Sequence, residues 1–187
     1  MHPLTIVIYC LWLASEIWLN RVLRGSSTDK QNQDRGSLTA IWLVIAASMT
    51  AGISLSYQHS PLIAQDQTTM HIGGLIIILI GIVLRYAAVA SLGKYFTVMV
   101  TIREGHQVKK DGMYKLIRHP SYAASLLSFI GFGISTNNWL SLLVVVIPVF
   151  LVFLYRIKIE EKALLKQFGQ EYADYMHHTK RFIPYIL

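Results

Sequence analysis

Three clusters of side chains in this 187-residue chain could do chemistry. Tyr114 is followed closely by Arg118-His119-Pro120-Ser121-Tyr122. Arg156 stands four residues, about one helical turn, before Glu160, with Glu161 beside it. Tyr172 and Tyr175 lie in the tail. Tyrosine faces and carboxylates suit a cationic ligand. A guanidinium suits a carboxylate, which it can orient bidentately. His119, Glu160 and Glu161 are candidate bases for a reaction that needs one. Plainer readings stand beside these. Arg156 and Lys158 could be snorkelling interface anchors, and Tyr114, Tyr122 and Tyr155 an aromatic belt. Glu160 and Glu161 could be solvated, or helical partners of Arg156 and Lys158. His119 could bond only a backbone carbonyl, and Tyr172 and Tyr175 read as packing residues. His177-His178 is no metal site, because adjacent helical positions point apart. The single cysteine, Cys10, closes no disulfide within the chain and supplies no Cys-rich site.

The elements that position these residues follow from composition. Apolar residues make up 53% of the chain and charged residues 14%, against about 25% charged in an ordinary soluble domain. Disorder, collagen and a disulfide scaffold are excluded, and an integral membrane protein remains. A crossing needs roughly 20 mostly apolar residues. Pro3 to about Asn20 qualifies, interrupted by Glu16; Leu38 to Tyr57 has no charge; Ile72 to Leu92 carries Arg85. His119 to Tyr155 has no Asp, Glu, Lys or Arg and is too long for one crossing. The polar cluster Ser135-Thr136-Asn137-Asn138 should break it into a tight hairpin, 120–135 and 139–157. The expected fold is therefore all-α with five transmembrane helices. Residues 1–92 hold three of them. Residues 93–187 form a catalytic region of cytosolic connection, hairpin 120–157 and cytosolic tail, the whole being one folded unit. The first run has no preceding basic residue and no following A-x-A-like site, so it reads as a retained helix rather than a signal peptide. Glu16 and Arg85 read as structural, through pairing or snorkelling.

Charge placement orients this topology. Of 17 Lys and Arg, 16 fall in the first connection, the third connection and the tail; the other is Arg85. With five spans these lie on one side, which places the N-terminus outside and the C-terminus in the cytosol. The net charge of +7 then needs no nucleic-acid partner. Gly93 to Pro120 carries turn signals at Gly105 and Asp111-Gly112, and Pro120 suits the first turn of a helix. In the tail, Glu160 to Phe168 continues the fifth helix or starts another, Gly169 resembles a C-cap, and Gln170 to His178 is amphipathic. Pro148 should kink the fifth helix. Both cytosolic stretches adjoin the hairpin. A site built from them faces water on one side and lipid on the other, which suits a water-soluble cofactor meeting a lipid-like acceptor.

Val108 to Tyr114, Arg118-His119-Pro120-Ser121-Tyr122, Arg156, Glu160-Glu161, Leu164, Phe168-Gly169, Glu171-Tyr172, Tyr175 and Arg181-Phe182-Ile183-Pro184 together resemble the isoprenylcysteine carboxyl methyltransferase family. That family belongs to a wider group of small membrane methyltransferases that includes phospholipid methyltransferases. The likeness covers about the last 85 residues; earlier ones match only in being hydrophobic spans. Lys109-Lys110 is a minor departure from the pattern. The resemblance implies S-adenosylmethionine as cofactor. It implies contacts to it from Gln107, Tyr114, Lys115, Leu116, Ile117, His119, Tyr122, Leu127, Ser128, Phe129 and Ile130. Glu160, or Glu161 beside it, holds the cofactor's polar end, and Arg156 lies near the acceptor carboxylate.

The residues make chemical sense of that implication. A sulfonium donor is a cation, for which Tyr114, Tyr122, Glu160 and Glu161 are suited. Leu116, Ile117 and Leu126 could wall the adenine. A carboxylate acceptor is ionised at pH 7 and the leaving thioether is neutral, so catalysis reduces to positioning and exclusion of water. The expected function is methylation of the C-terminal carboxylate of a prenylated cysteine, peptide or similar lipid-like acceptor, with the bilayer as partner, no nucleic acid and no metal. Phospholipid N-methylation is the alternative and requires a base. An NADPH-dependent sterol reductase, usually a longer chain, and a non-catalytic membrane adaptor are the other rivals.

Overall fold

In lipid, a long apolar run satisfies its own backbone hydrogen bonds by becoming helix. The computed structural model describes residues 3–22, 35–58, 61–93 and 108–182. Among them the α-helices are α1 (Pro3–Val22), α2 (Arg35–Ser56), α3 (Gln67–Leu92), α4 (Pro120–Ser135), α5 (Trp139–Phe168) and α6 (Gln170–His178), with a 3-10 turn at Gly112–Lys115 before α4. Ends fall where the residue chemistry puts them. Asp66 caps α3, its carboxylate accepting from the Thr69 N–H at 3.1 Å. Pro120 occupies the first turn of α4. Asn138 caps α5 by accepting from the Ser141 N–H at 3.0 Å. Gly169, at φ 54°, ends α5 and starts α6. The hairpin breaks at Thr136–Asn138 as expected, and α5 runs through Pro148 as a single helix to Phe168.

Four of the five expected spans, α1, α2, α3 and α5, are long and apolar enough to cross a membrane. The fifth differs. α4 has 16 residues, which rise about 24 Å and fall short of a ~30 Å hydrocarbon core. It is also mostly buried inside the bundle. Its length is set by Pro120 at one end and the asparagine turn at the other. It lies antiparallel to α3, with Ser121 beside Arg85 at one end and the Ser135 carbonyl beside His71 Nδ1, at 2.9 Å, at the other.

Glycine fixes that close approach. A Cβ on Gly81 would meet the Ala124 carbonyl oxygen at 2.8 Å and the Ser128 nitrogen at 2.9 Å; one on Gly131 would meet the Gly74 oxygen at 2.7 Å and the Ile78 nitrogen at 2.8 Å. Small residues let helix backbones touch where lipid supplies no hydrophobic driving force. α2 packs on α5 in the same manner, with Ser141 Oγ donating to the Gly52 carbonyl at 2.7 Å. Trp12, Ile78, Phe129, Phe132, Val145, Val149, Phe153 and Ile157 form the core, drawn from both sides of residue 92. The α4–α5 turn is tied to the α2–α3 connection: Asn137 Nδ2 donates to the Ala64 carbonyl at 2.9 Å, and the Trp139 N–H donates to the Pro61 carbonyl at 3.2 Å. The two connections that contain no Lys or Arg therefore share one end of the molecule.

Candidate active site

At the opposite end the Arg118–Tyr122 motif meets the tail. Backbone bonds run from the Arg118 N–H to the Lys180 carbonyl at 2.7 Å and from the His119 N–H to the Arg181 carbonyl at 3.1 Å. Glu161 locks this seam. Its Oε1 accepts from Arg118 Nε at 2.9 Å and lies 3.4 Å from His119 Nε2; its Oε2 accepts from Arg181 Nε at 3.0 Å and Nη2 at 2.7 Å. Arg118 Nη1 also donates to the carbonyls of Met176, at 3.1 Å, and Thr179, closing the end of α6. Glu161 is 3% exposed, so among the described residues its charge is compensated by these partners.

Glu160 points elsewhere. It is half-buried, and Tyr122 Oη donates to its Oε2 at 3.1 Å. The Tyr122 ring packs edge-on against Phe153 and His119, at centroid separations of 5.4 and 5.9 Å. One turn earlier on α5, Arg156 is 1% exposed and donates through Nη1 to Ser37 Oγ, in the first turn of α2. Tyr114 is buried, donates to the Ala88 carbonyl at 3.3 Å, and offers its own carbonyl to Tyr175 Oη at 2.5 Å. Burial pushes the Tyr114 and Tyr172 phenols up from their usual range and that of Tyr175 up to about 12, so all three are neutral at pH 7.

The structure thus brings Tyr114, His119, Tyr122, Arg156, Glu160 and Glu161 to one end of the bundle. It divides the two glutamates: Glu161, expected as a cofactor contact, has both oxygens committed to Arg118, His119 and Arg181, whereas Glu160 has only Tyr122 bonded to it among the described residues. Lys115 and Leu116 are exposed, and Ile117 is half-buried in a bridge to Lys180. Gln107 lies outside the described residues. Leu127, Ser128, Phe129 and Ile130 sit about 8 to 12 Å further along α4 than Tyr122. Ser128 faces α3, donating to the Ile78 carbonyl at 3.4 Å, and Phe129 lies in the core against Trp12; Leu127 and Ile130 are half-buried. Tyr172 and Tyr175 pack the tail, as their plainer reading had it. A recess of about 370 Å³ beside Tyr175 is lined also by Lys110, Lys115, Asp174, His178 and Thr179. Sequence reasoning missed Ser37 and the clamp role of Arg118. The position of Arg118 inside the motif was the one signal for the latter.

Comparison with known proteins bears on this arrangement. Residues 74–166 match the family model described as the isoprenylcysteine carboxyl methyltransferase family. Over 115 residues, 60% of this chain, it is 32% identical to protein-S-isoprenylcysteine O-methyltransferase B of Arabidopsis thaliana, covering 58% of that protein. Over the same length it is 35% identical to the Tribolium castaneum protein-S-isoprenylcysteine O-methyltransferase, covering 41% of it, and 31% identical to that of Saccharomyces cerevisiae, covering 48%. The aligned part is therefore less than two thirds of each of these relatives. The solved structure of a eukaryotic intramembrane Ras methyltransferase, itself an isoprenylcysteine carboxyl methyltransferase, superposes over the whole chain and 69% of its own length, with a TM-score of 0.66 at 24% identity, and so shares the fold. Residues 74–166, the part that matches the isoprenylcysteine carboxyl methyltransferase family model, contain the Arg118–Tyr122 motif, α4, most of α5 and both glutamates.

Proposed function

We propose that the chain is an S-adenosylmethionine-dependent methyltransferase acting on the carboxylate of a prenylated cysteine at the cytosolic membrane face. The Tyr122–Glu160 hydrogen bond of 3.1 Å carries the reading. It joins the motif at the start of α4 to the cytosolic end of α5, and it leaves a half-buried carboxylate flanked by aromatic rings. That set fits a donor bearing a sulfonium and an ammonium. When bound, S-adenosylmethionine supplies an electrophilic methyl on a positively charged sulfur, and a neutral thioether departs.

The chain's residues do the rest. Glu160 holds positive charge, with Tyr122 fixing its rotamer. Arg156, on the same side of α5 one turn deeper, orients the acceptor carboxylate, and Ser37 restrains the guanidinium. Neither a general acid nor a general base is required, because the acceptor is already ionised. The surrounding apolar bundle excludes water. The chain works as one folded unit with its N-terminus outside and its C-terminus in the cytosol. The lysine-rich connections and the tail support that orientation.

A thermal-shift measurement on the purified protein in detergent tests the reading. S-adenosylhomocysteine should stabilise it and NADPH should not. Arg156→Ala should keep that stabilisation yet lose turnover of a small farnesylated thiol acid. Stabilisation by NADPH alone would favour a reductase, and undiminished turnover by Arg156→Ala would remove the carboxylate clamp.

A further inference from the structure

Glu16 on α1 and Arg85 on α3 form an ion pair inside the bundle, with Arg85 Nε 2.8 Å from Glu16 Oε1 and side chains 13% and 12% exposed for Arg85 and Glu16. Ser125 Oγ donates to the same carboxylate oxygen at 3.4 Å. Arg85 Nη1 reaches past its partner to α4, donating to both the carbonyl and the hydroxyl of Ser121, each at 3.1 Å. Ser121 immediately precedes Tyr122, whose hydroxyl meets Glu160. One turn along α3 from Arg85, the Ala88 carbonyl accepts the Tyr114 hydroxyl. One turn of α3 therefore holds both halves of the candidate donor site, the Tyr114 turn and the first turn of α4.

Stability does not explain the pair. Desolvating two charges is costly, and apolar side chains of similar volume usually pack at least as well. Ionisable residues within spans are rare and are retained for function more often than for folding. What the pair delivers here is position. Pro120 lacks the N–H that could anchor the start of α4, and the grip of Arg85 Nη1 on both oxygens of Ser121 supplies an anchor. Glu16, 2.8 Å from Nε, keeps the guanidinium aimed. Lysine at position 85 could satisfy Glu16 but has no planar fork to reach Ser121 as well.

We propose that Arg85, oriented by Glu16, is a positioning residue for the methyl donor: it sets the first turn of α4 so that Tyr122 and Glu160 meet. This rests on the methyltransferase reading above and places part of the donor's affinity on α1, outside the segment that the family model matches.

The test compares wild type, Glu16→Leu/Arg85→Leu and Arg85→Lys, purified whole in detergent. Calorimetric binding of S-adenosylhomocysteine is read beside thermal midpoint and steady-state kinetics with a farnesylated thiol acid. The double variant should hold or raise the midpoint while binding S-adenosylhomocysteine about tenfold more weakly. Its KM for S-adenosylmethionine should rise similarly, with KM for the acceptor within twofold of wild type. Arg85→Lys should follow it. A merely structural pair would lower the midpoint and the active fraction and leave both KM values alone. Wild-type affinity in the double variant overturns the inference; should that variant not fold, wild-type affinity in Arg85→Lys does so. If wild type itself neither binds S-adenosylhomocysteine nor transfers methyl, the functional reading falls, and this inference falls with it.

Discussion

Among the described residues a half-buried carboxylate at position 160 receives one hydrogen bond, from Tyr122, while at position 161 a buried carboxylate receives bonds from two arginines. Adjacent helical residues diverge by about 100°, so the pair faces two environments and the two glutamates should respond differently to the same substitution. Under the proposed function Glu160→Gln removes the charge that would hold the donor, and charge-assisted hydrogen bonds contribute about 1.5–3 kcal/mol. Affinity for S-adenosylhomocysteine should therefore fall roughly 10- to 100-fold, with little change in thermal midpoint. Glu161→Gln leaves Arg118 and Arg181 without their buried counter-charge. Breaking such a pair costs about 3–5 kcal/mol, so the midpoint should fall and amides at 117–119 should lose exchange protection. Equal loss of donor affinity in both variants, with equal stability, would contradict this division. The sequence marks both glutamates as candidates and could not separate them. The difference lies in partners 43 and 20 residues away from Glu161, and no local pattern encodes contacts at those separations.

Between elements, the tightest fit is α3 against α4, where backbone faces backbone at Gly74, Gly81 and Gly131. Gly131→Ala places a methyl 2.7 Å from the Gly74 oxygen and 2.8 Å from the Ile78 nitrogen, neither of which is the end of a flexible side chain. Overpacking of this type costs about 1–3 kcal/mol. The variant should melt earlier in detergent and, through the shift of α4, bind S-adenosylhomocysteine more weakly. Gly73→Ala, which meets nothing within 4 Å, is the control and should behave as wild type. Helix positions were legible because hydropathy and caps are local: Asn138, Gly169 and Pro120 stop or start helices where the residues imply. The shortness of α4 as a span was hidden, since His119 to Tyr155 is one uncharged run and its apolar character does not say which half faces protein. The Glu16–Arg85 pair was legible only as two costly residues in search of partners; Ser121 as the third member required the antiparallel register of α3 and α4.

For the molecule as a whole, charge and chemistry are polarised. One end holds the turn at Asn137–Asn138 tied to the α2–α3 connection at Ala64 and to the last turn of α2 at Leu55. The other holds the Arg118–Tyr122 motif, the tail clamp and Glu160. Helices α1 to α5 pack about a shared core that includes Trp12 of α1 and Phe129 of α4, which places α1 against the α4 helix that carries Tyr122. Under the proposed function an acceptor with a greasy chain would enter from the bilayer and a water-soluble donor from the cytosol. The most direct measurement is transfer of a labelled methyl group from S-adenosylmethionine by the purified whole protein to a panel of a farnesylated thiol acid, a geranylgeranylated thiol acid and phosphatidylethanolamine. Base-labile label, characteristic of a methyl ester, on one or both prenylated acids and none on the phospholipid is the predicted result. Label confined to the phosphatidylethanolamine headgroup, or no label on any acceptor from protein shown to be folded, would contradict it.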